Sequence, residues 1–118
     1  MNSRPISKTA HGLIDYAFAA ALFSVPKAIG CKPKTVNLYR GIAAEVFLYG
    51  AMSKHKLAPL PLIPMKVHKV IDIVNLSMLS LLTSYKGIRK NPKAVCFNLT
   101  MVAMGITAVL LTRWKKHT

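Results

Sequence analysis

Two stretches of the chain decide its fold: AHGLIDYAFAAALF at residues 10–23 and VHKVIDIVNLSMLS at residues 67–80. A slide of 57 places sets His11 on His68, Ile14 on Ile71, Asp15 on Asp72 and Leu22 on Leu79. The apolar coincidences carry little weight, because any two hydrophobic helices share some. The polar ones carry more, because the chain has only two Asp and four His, and each Asp follows a His by four places. After one or two inserted residues, Lys32-Pro33-Lys34 aligns with Asn91-Pro92-Lys93, each just ahead of a second apolar run. The chain therefore reads as one domain, 1–118, made of a helical hairpin written twice, with repeat 1 at about 6–55 and repeat 2 at about 63–113.

The joints agree with this division. Pro59, Pro61 and Pro64 forbid a regular helix between the halves and favour an extended connector. Pro26, Gly30 and Pro33 break the first hairpin, and Gly87 with Pro92 breaks the second. No strand alternation competes, so the expected class is all-α with four long helices.

Composition narrows the setting. The chain carries 17 Lys and Arg against three acids, a formal charge of +14, with 53% hydrophobic residues and a mean hydropathy of +0.36. Soluble domains usually hold about a quarter charged residues of mixed sign, so an ordinary cytosolic enzyme is unlike this chain. Nucleic-acid binding would explain the charge, but the basic residues fall into five groups separated by apolar runs at roughly 12–26, 41–52, 70–85 and 94–112. The last, AVCFNLTMVAMGITAVLLT, is uncharged and long enough to cross a hydrocarbon core of about 30 Å. The other three reach that length if flanking Lys and Arg extend their charged heads to the interface. The expectation is a polytopic membrane protein with four transmembrane helices as two tandem parallel hairpins, bound to no nucleic acid. Asp15 at the head of the first run argues for a retained helix rather than a cleaved leader. The predicted site is the cell membrane, the inner membrane in a Gram-negative bacterium. Nine basic residues on one face against eight on the other slightly favour both termini in the cytoplasm, and the basic loops suit anionic lipid headgroups.

The functional leads are polar residues within apolar runs: His11, Asp15, Glu45, His68, Asp72 and Asn75. His11 and Asp15 share one helical face at i and i+4, as do His68 and Asp72, and Asn75 extends the second stripe. If the first and third long helices pack about the repeat axis, the two pairs face each other. Such a cluster either pins helices together or responds to protons and ligands. Glu45 has no acidic counterpart in the second unit, where Met104 or Gly105 stands in its place, so its partner is sought in another helix, water or subunit. Cys31 and Cys96 fall near one face, as a disulfide or as two free thiols. Ala17 with Ala21, Gly41 with Ala44, and Gly105 with Ala108 have spacings that let helices approach closely.

The segment Pro61–Asp72 with His11–Tyr16 resembles the bacterial Ser-Pro-Trp repeat membrane proteins, small four-helix proteins made of two such hairpins. The namesake motif is degraded here to Ser24-Val25-Pro26-Lys27 and Thr83-Ser84-Tyr85. That resemblance implies a fold and no established activity.

There is no CxxC, phosphate-binding glycine loop, HExxH or nucleophile elbow. No catalytic residue, metal site or cofactor is therefore assigned, and the chain is not expected to be an enzyme. The leading reading is a structural or accessory membrane protein, in a homo-oligomer or a larger membrane complex. One alternative is a small proton-coupled transporter or channel centred on Glu45. Another is a haem- or quinone-binding module using His11 and His68.

Overall fold

Ser7 starts the first helix by accepting a hydrogen bond on its side-chain oxygen from the Ala10 amide at 3.1 Å, the N-cap role that short polar side chains fill. This helix, α1, runs Lys8–Ala28 in the computed structural model, which describes residues 5–53 and 58–112. It ends in a Schellman motif: the Gly30 amide donates to the Lys27 carbonyl at 3.1 Å and the Cys31 amide to the Pro26 carbonyl at 3.0 Å. Gly30 takes φ of 83°, which glycine adopts without a Cβ penalty. Helix α2, Pro33–Met52, and helix α5, Pro92–Leu111, both open on a proline whose missing N–H costs a first turn nothing. Asn91 caps α5 by accepting from the Lys93 and Ala94 amides at 3.1 and 3.3 Å. Between them lie α3, Met65–Leu82, and the short turn α4, Lys86–Arg89.

Helices α1 and α2 form one hairpin and α3 and α5 the other, while α1 also touches α5, and α4 leans on α5 and α2. Leu22, Tyr39, Leu79, Ile88 and Met101 fill the space between them. Burying Tyr39 demands a partner for its hydroxyl. It donates to Asn98 Oδ1 at 2.6 Å, and Asn98 Nδ2 donates to the Leu79 carbonyl at 3.0 Å and to Thr83 Oγ1 at 2.8 Å. Gly105 lets α5 approach α3 closely, since a Cβ there would collide with Leu76 Cδ2.

The two hairpins close on each other through matched backbone contacts. Ile6 forms an isolated parallel bridge with Thr112, its amide donating to the Leu111 carbonyl at 3.1 Å. Ile63 forms the same bridge with Ser53, its amide donating to the Met52 carbonyl at 2.7 Å. Each segment leading into a first helix therefore lies against the tail of the opposite hairpin.

The expectation of four transmembrane helices is corrected here. Among the described residues one helix, α5, is long and apolar enough to cross a membrane. The other long helices carry ionisable groups along their length: His11 and Asp15 in α1, Arg40 and Glu45 in α2, and Lys66, Lys69 and Asp72 in α3. These groups lower the apolar character of each helix below that of a crossing segment. The helices instead pack into a bundle with extents of 44 × 27 × 20 Å. The comparison of nine basic residues against eight, which favoured both termini in the cytoplasm, assigned the loops to two faces by four crossings, a layout the helices do not support. Arg4, Lys54, Lys56, Arg113, Lys115 and Lys116, which entered the charge comparison, lie outside the described residues. Large apolar side chains still face outward, among them Leu13, Phe47, Val70, Val74, Leu81 and Leu110.

Candidate functional site

One turn of helix separates His11 from Asp15 in α1 and His68 from Asp72 in α3, and all four side chains are buried at one place. The imidazoles are 1% and 0% exposed, the aspartates 7% and 6%. The shortest contacts cross between the hairpins. His11 Nε2 lies 2.9 Å from Asp72 Oδ2 and 3.3 Å from Asp15 Oδ2; His68 Nε2 lies 2.7 Å from Asp15 Oδ2 and 3.3 Å from Asp72 Oδ2. Nitrogen and oxygen thus alternate around a ring of four atoms, with the two imidazoles edge to face at a centroid distance of 5.2 Å.

The other nitrogen of each imidazole meets a hydroxyl from the end of the remaining long helix in its neighbourhood. His68 Nδ1 is 2.5 Å from Ser53 Oγ, at the C-terminus of α2, and His11 Nδ1 is 2.7 Å from Thr112 Oγ1, at the C-terminus of α5. Each hydroxyl has one proton and gives it to a backbone carbonyl one turn back, Ser53 to Tyr49 and Thr112 to Ala108. Both oxygens must then accept from the rings, which places a proton on both Nδ1 atoms. Both Nε2 atoms are left facing the carboxylates. A bare lone pair there would repel them, so each Nε2 carries positive charge in the form of a bound proton.

The titration behaviour has the same cause. Burial alone would lower the His11 imidazole, but its hydrogen bonds to Asp15 and Asp72 outweigh that and hold it at about 9. His68 is raised by the same balance. Burial would raise the Asp72 carboxyl, but its bonds to His11 and His68 bring it down to about 2. The imidazoles and the carboxylates offset one another's charge in the buried centre, the condition under which buried charge is tolerated.

The site is not symmetric in its outer contacts. Tyr49 donates its hydroxyl to Asp72 Oδ1 at 2.6 Å and sets its ring edge to face on His68 at 4.8 Å. Burial, then Asp72, pushes that phenol well above its ordinary range. Advancing by the 59 places that relate Ser53 to Thr112 leads from Tyr49 to Ala108 and from Val46 to Gly105. Where the first hairpin has bulk, the second has small residues. A cavity of about 30 Å³ opens there against His11, Asp15, Asp72 and Asn75. Asn75 Nδ2, at its wall, is buried with no hydrogen-bond partner among the described residues.

No protein family, curated protein or solved structure matches the chain. Its chemistry has to be read from its own geometry.

Of the six residues singled out in the sequence, five meet here: His11, Asp15, His68 and Asp72 in the ring, and Asn75 beside it. Glu45 does not, because it is exposed on the outer side of α2. The space between the two Nε2 atoms is taken by carboxylate oxygens, which leaves no slot for a porphyrin between the imidazoles. Cys31 and Cys96 are both free thiols. Sequence reasoning missed Ser53, Thr112 and Tyr49. The first two were detectable as hydroxyl residues at equivalent ends of the two hairpins; Tyr49 has no counterpart that would have marked it.

Proposed function

We propose that this protein is a small membrane-associated structural or accessory protein, without catalytic activity, whose His–Asp centre fastens two helical hairpins into one unit. The observation that carries the reading is the crossed pairing, in which each imidazole approaches the aspartate of the other hairpin more closely than the one on its own helix. Groups serving their own helix alone would favour the i,i+4 partner. With Ser53 and Thr112 behind the imidazoles, all four long helices contribute to the fastening.

The membrane assignment is supported by α5, long and apolar enough to cross a bilayer, and by the outward apolar side chains of α1, α2 and α3. An exposed apolar surface on a chain of charge +14 suits attachment at a membrane with anionic headgroups. The location this implies is the cell membrane, the inner one in a Gram-negative host, where further copies or other membrane proteins cover what lipid does not. Alkaline carbonate washing of membranes tests the assignment: the protein is expected to stay in the pellet. Recovery as a folded, monodisperse species from detergent-free supernatant would overturn it.

A further inference from the structure

We propose that His11 Nε2, His68 Nε2, Asp15 Oδ2 and Asp72 Oδ2 form the donor set of a site for one divalent transition-metal ion, with zinc(II) the best match. The site goes beyond the fastening role: the ring can hold the hairpins together with two protons, and the metal ion is the alternative occupant of the same charge.

Geometry is the first ground. The four donor atoms all lie within 4.8 Å of one another. Ligand bonds of about 2.0–2.2 Å in tetrahedral array put donors roughly 3.3–3.5 Å apart. The one contact within each helix already measures 3.3 Å, and the crossed contacts of 2.7 and 2.9 Å need to open by roughly half an ångström. Rotation of the carboxylates can supply that movement.

The second ground is independent of the ring itself. A metal-binding histidine characteristically donates its other ring N–H to an oxygen, which fixes the tautomer and aims the ligating nitrogen. Ser53 and Thr112 do this for both imidazoles, because each hydroxyl proton is committed to a backbone carbonyl.

Charge balance is the third. With both Nδ1 atoms protonated, the ring of two carboxylates requires two positive charges at its centre. Two Nε2 protons provide them, and one divalent ion provides the same; the exchange takes in M²⁺ and releases two H⁺, with no redox change. The adjoining cavity of about 30 Å³, where Asn75 Nδ2 has no partner among the described residues, has room for one water beside the four donors. A mixed set of two imidazoles and two carboxylates has too few oxygens for calcium and lacks the sulfur that selects copper(I). It suits zinc(II), with cobalt(II) as its spectroscopic stand-in.

The test uses the full chain in detergent or lipid, stripped with a chelator and titrated with cobalt(II). One equivalent is expected to bind with the intense visible absorption of a four- or five-coordinate ion, and zinc(II) is expected to bleach it. Absence of that absorption, or a pale six-coordinate spectrum, overturns the proposal and leaves the centre to protons. His68→Gln and Asp72→Asn should abolish the signal, whereas Glu45→Gln and a His55→Ala/His117→Ala double variant should keep it. Since ring variants can fail to fold, Ser53→Ala and Thr112→Val provide a second measure: with all four ligands present, affinity should fall about 10- to 100-fold. Undiminished binding in folded His68→Gln, or in both hydroxyl variants, also overturns the site. A membrane-bound, stable protein that takes up no metal would refute this inference and leave the fastening role intact.

Discussion

His68 Nε2 lies 2.7 Å from Asp15 Oδ2 and 3.3 Å from Asp72 Oδ2, the carboxylate one turn along its own helix. The nearer partner is 53 residues away in sequence. The pairing therefore reports on how the hairpins meet, and the i,i+4 spacing inside each helix brings the second carboxylate into reach.

Removing one carboxylate leaves two buried imidazolium groups to share the other. Asp15→Asn or Asp72→Asn should each destabilise the fold by on the order of 3–5 kcal/mol, as breaking a buried pair does. Denaturant unfolding in a fixed detergent measures this. A double-mutant cycle between Asp15 and His68 should give a larger coupling than one between His68 and Asp72; equal couplings would contradict the crossed arrangement.

Stability of the metal-free protein should depend on pH at both ends. The His11 imidazole rises from 6.5 to about 9 on folding, so its contribution is complete below pH 6.5 and is lost as pH climbs through 9. The Asp72 carboxyl falls from 3.8 to about 2, so its contribution is complete above pH 3.8 and is lost as pH drops through 2. The plateau should span the interval between the two unfolded values. The alkaline loss from His11 should be about 3 kcal/mol, and unfolding midpoints measured across pH will show whether the decline begins near 6.5.

Both hydroxyls act as acceptors for ring protons, which nitrogen NMR can see directly. Near neutral pH, both imidazoles of the metal-free protein should show protons on Nδ1 and Nε2. Ser53→Ala and Thr112→Val should each cost about 1–2 kcal/mol, since an Nδ1–H is left buried without its acceptor.

Two further substitutions should move stability in opposite directions. Tyr39→Phe strands Asn98 Oδ1 and should lose about 1–2 kcal/mol. Asn75→Leu removes a half-buried amide whose Nδ2 has no hydrogen-bond partner among the described residues and should be neutral or stabilising by up to about 2 kcal/mol. Thermal unfolding of the two variants side by side distinguishes them.

Much of the bundle was legible in the sequence because prolines and glycines mark helix ends by covalent geometry. Pro33, Pro92 and Gly30 act locally, wherever the helices go. The His and Asp residues stood out because so few polar groups interrupt the apolar runs. What the sequence concealed depends on three-dimensional placement. The direction of pairing depends on how α1 and α3 approach, which no periodicity encodes. Glu45 looked intramembrane because its neighbours are apolar, yet its face of α2 points outward. Counting charge groups suggested four crossings, but His11, Asp15, Lys69 and Asp72 reduce the apolar character of the very helices that carry the centre.

The matched bridges of Ile6 with Thr112 and of Ile63 with Ser53 give the chain the connectivity of a loop with one open seam. The meeting of Ile6 with Thr112 is equivalent to the meeting of Ile63 with Ser53, where the chain passes from one half to the other. A circular permutant of residues 5–112 that joins the segment before Ile6 to the segment after Thr112 with a short linker, and opens the backbone at Pro59–Pro61, should fold to the same bundle. If it does, either half can be synthesised first, and the order of the two halves along the gene is a historical accident rather than a structural requirement.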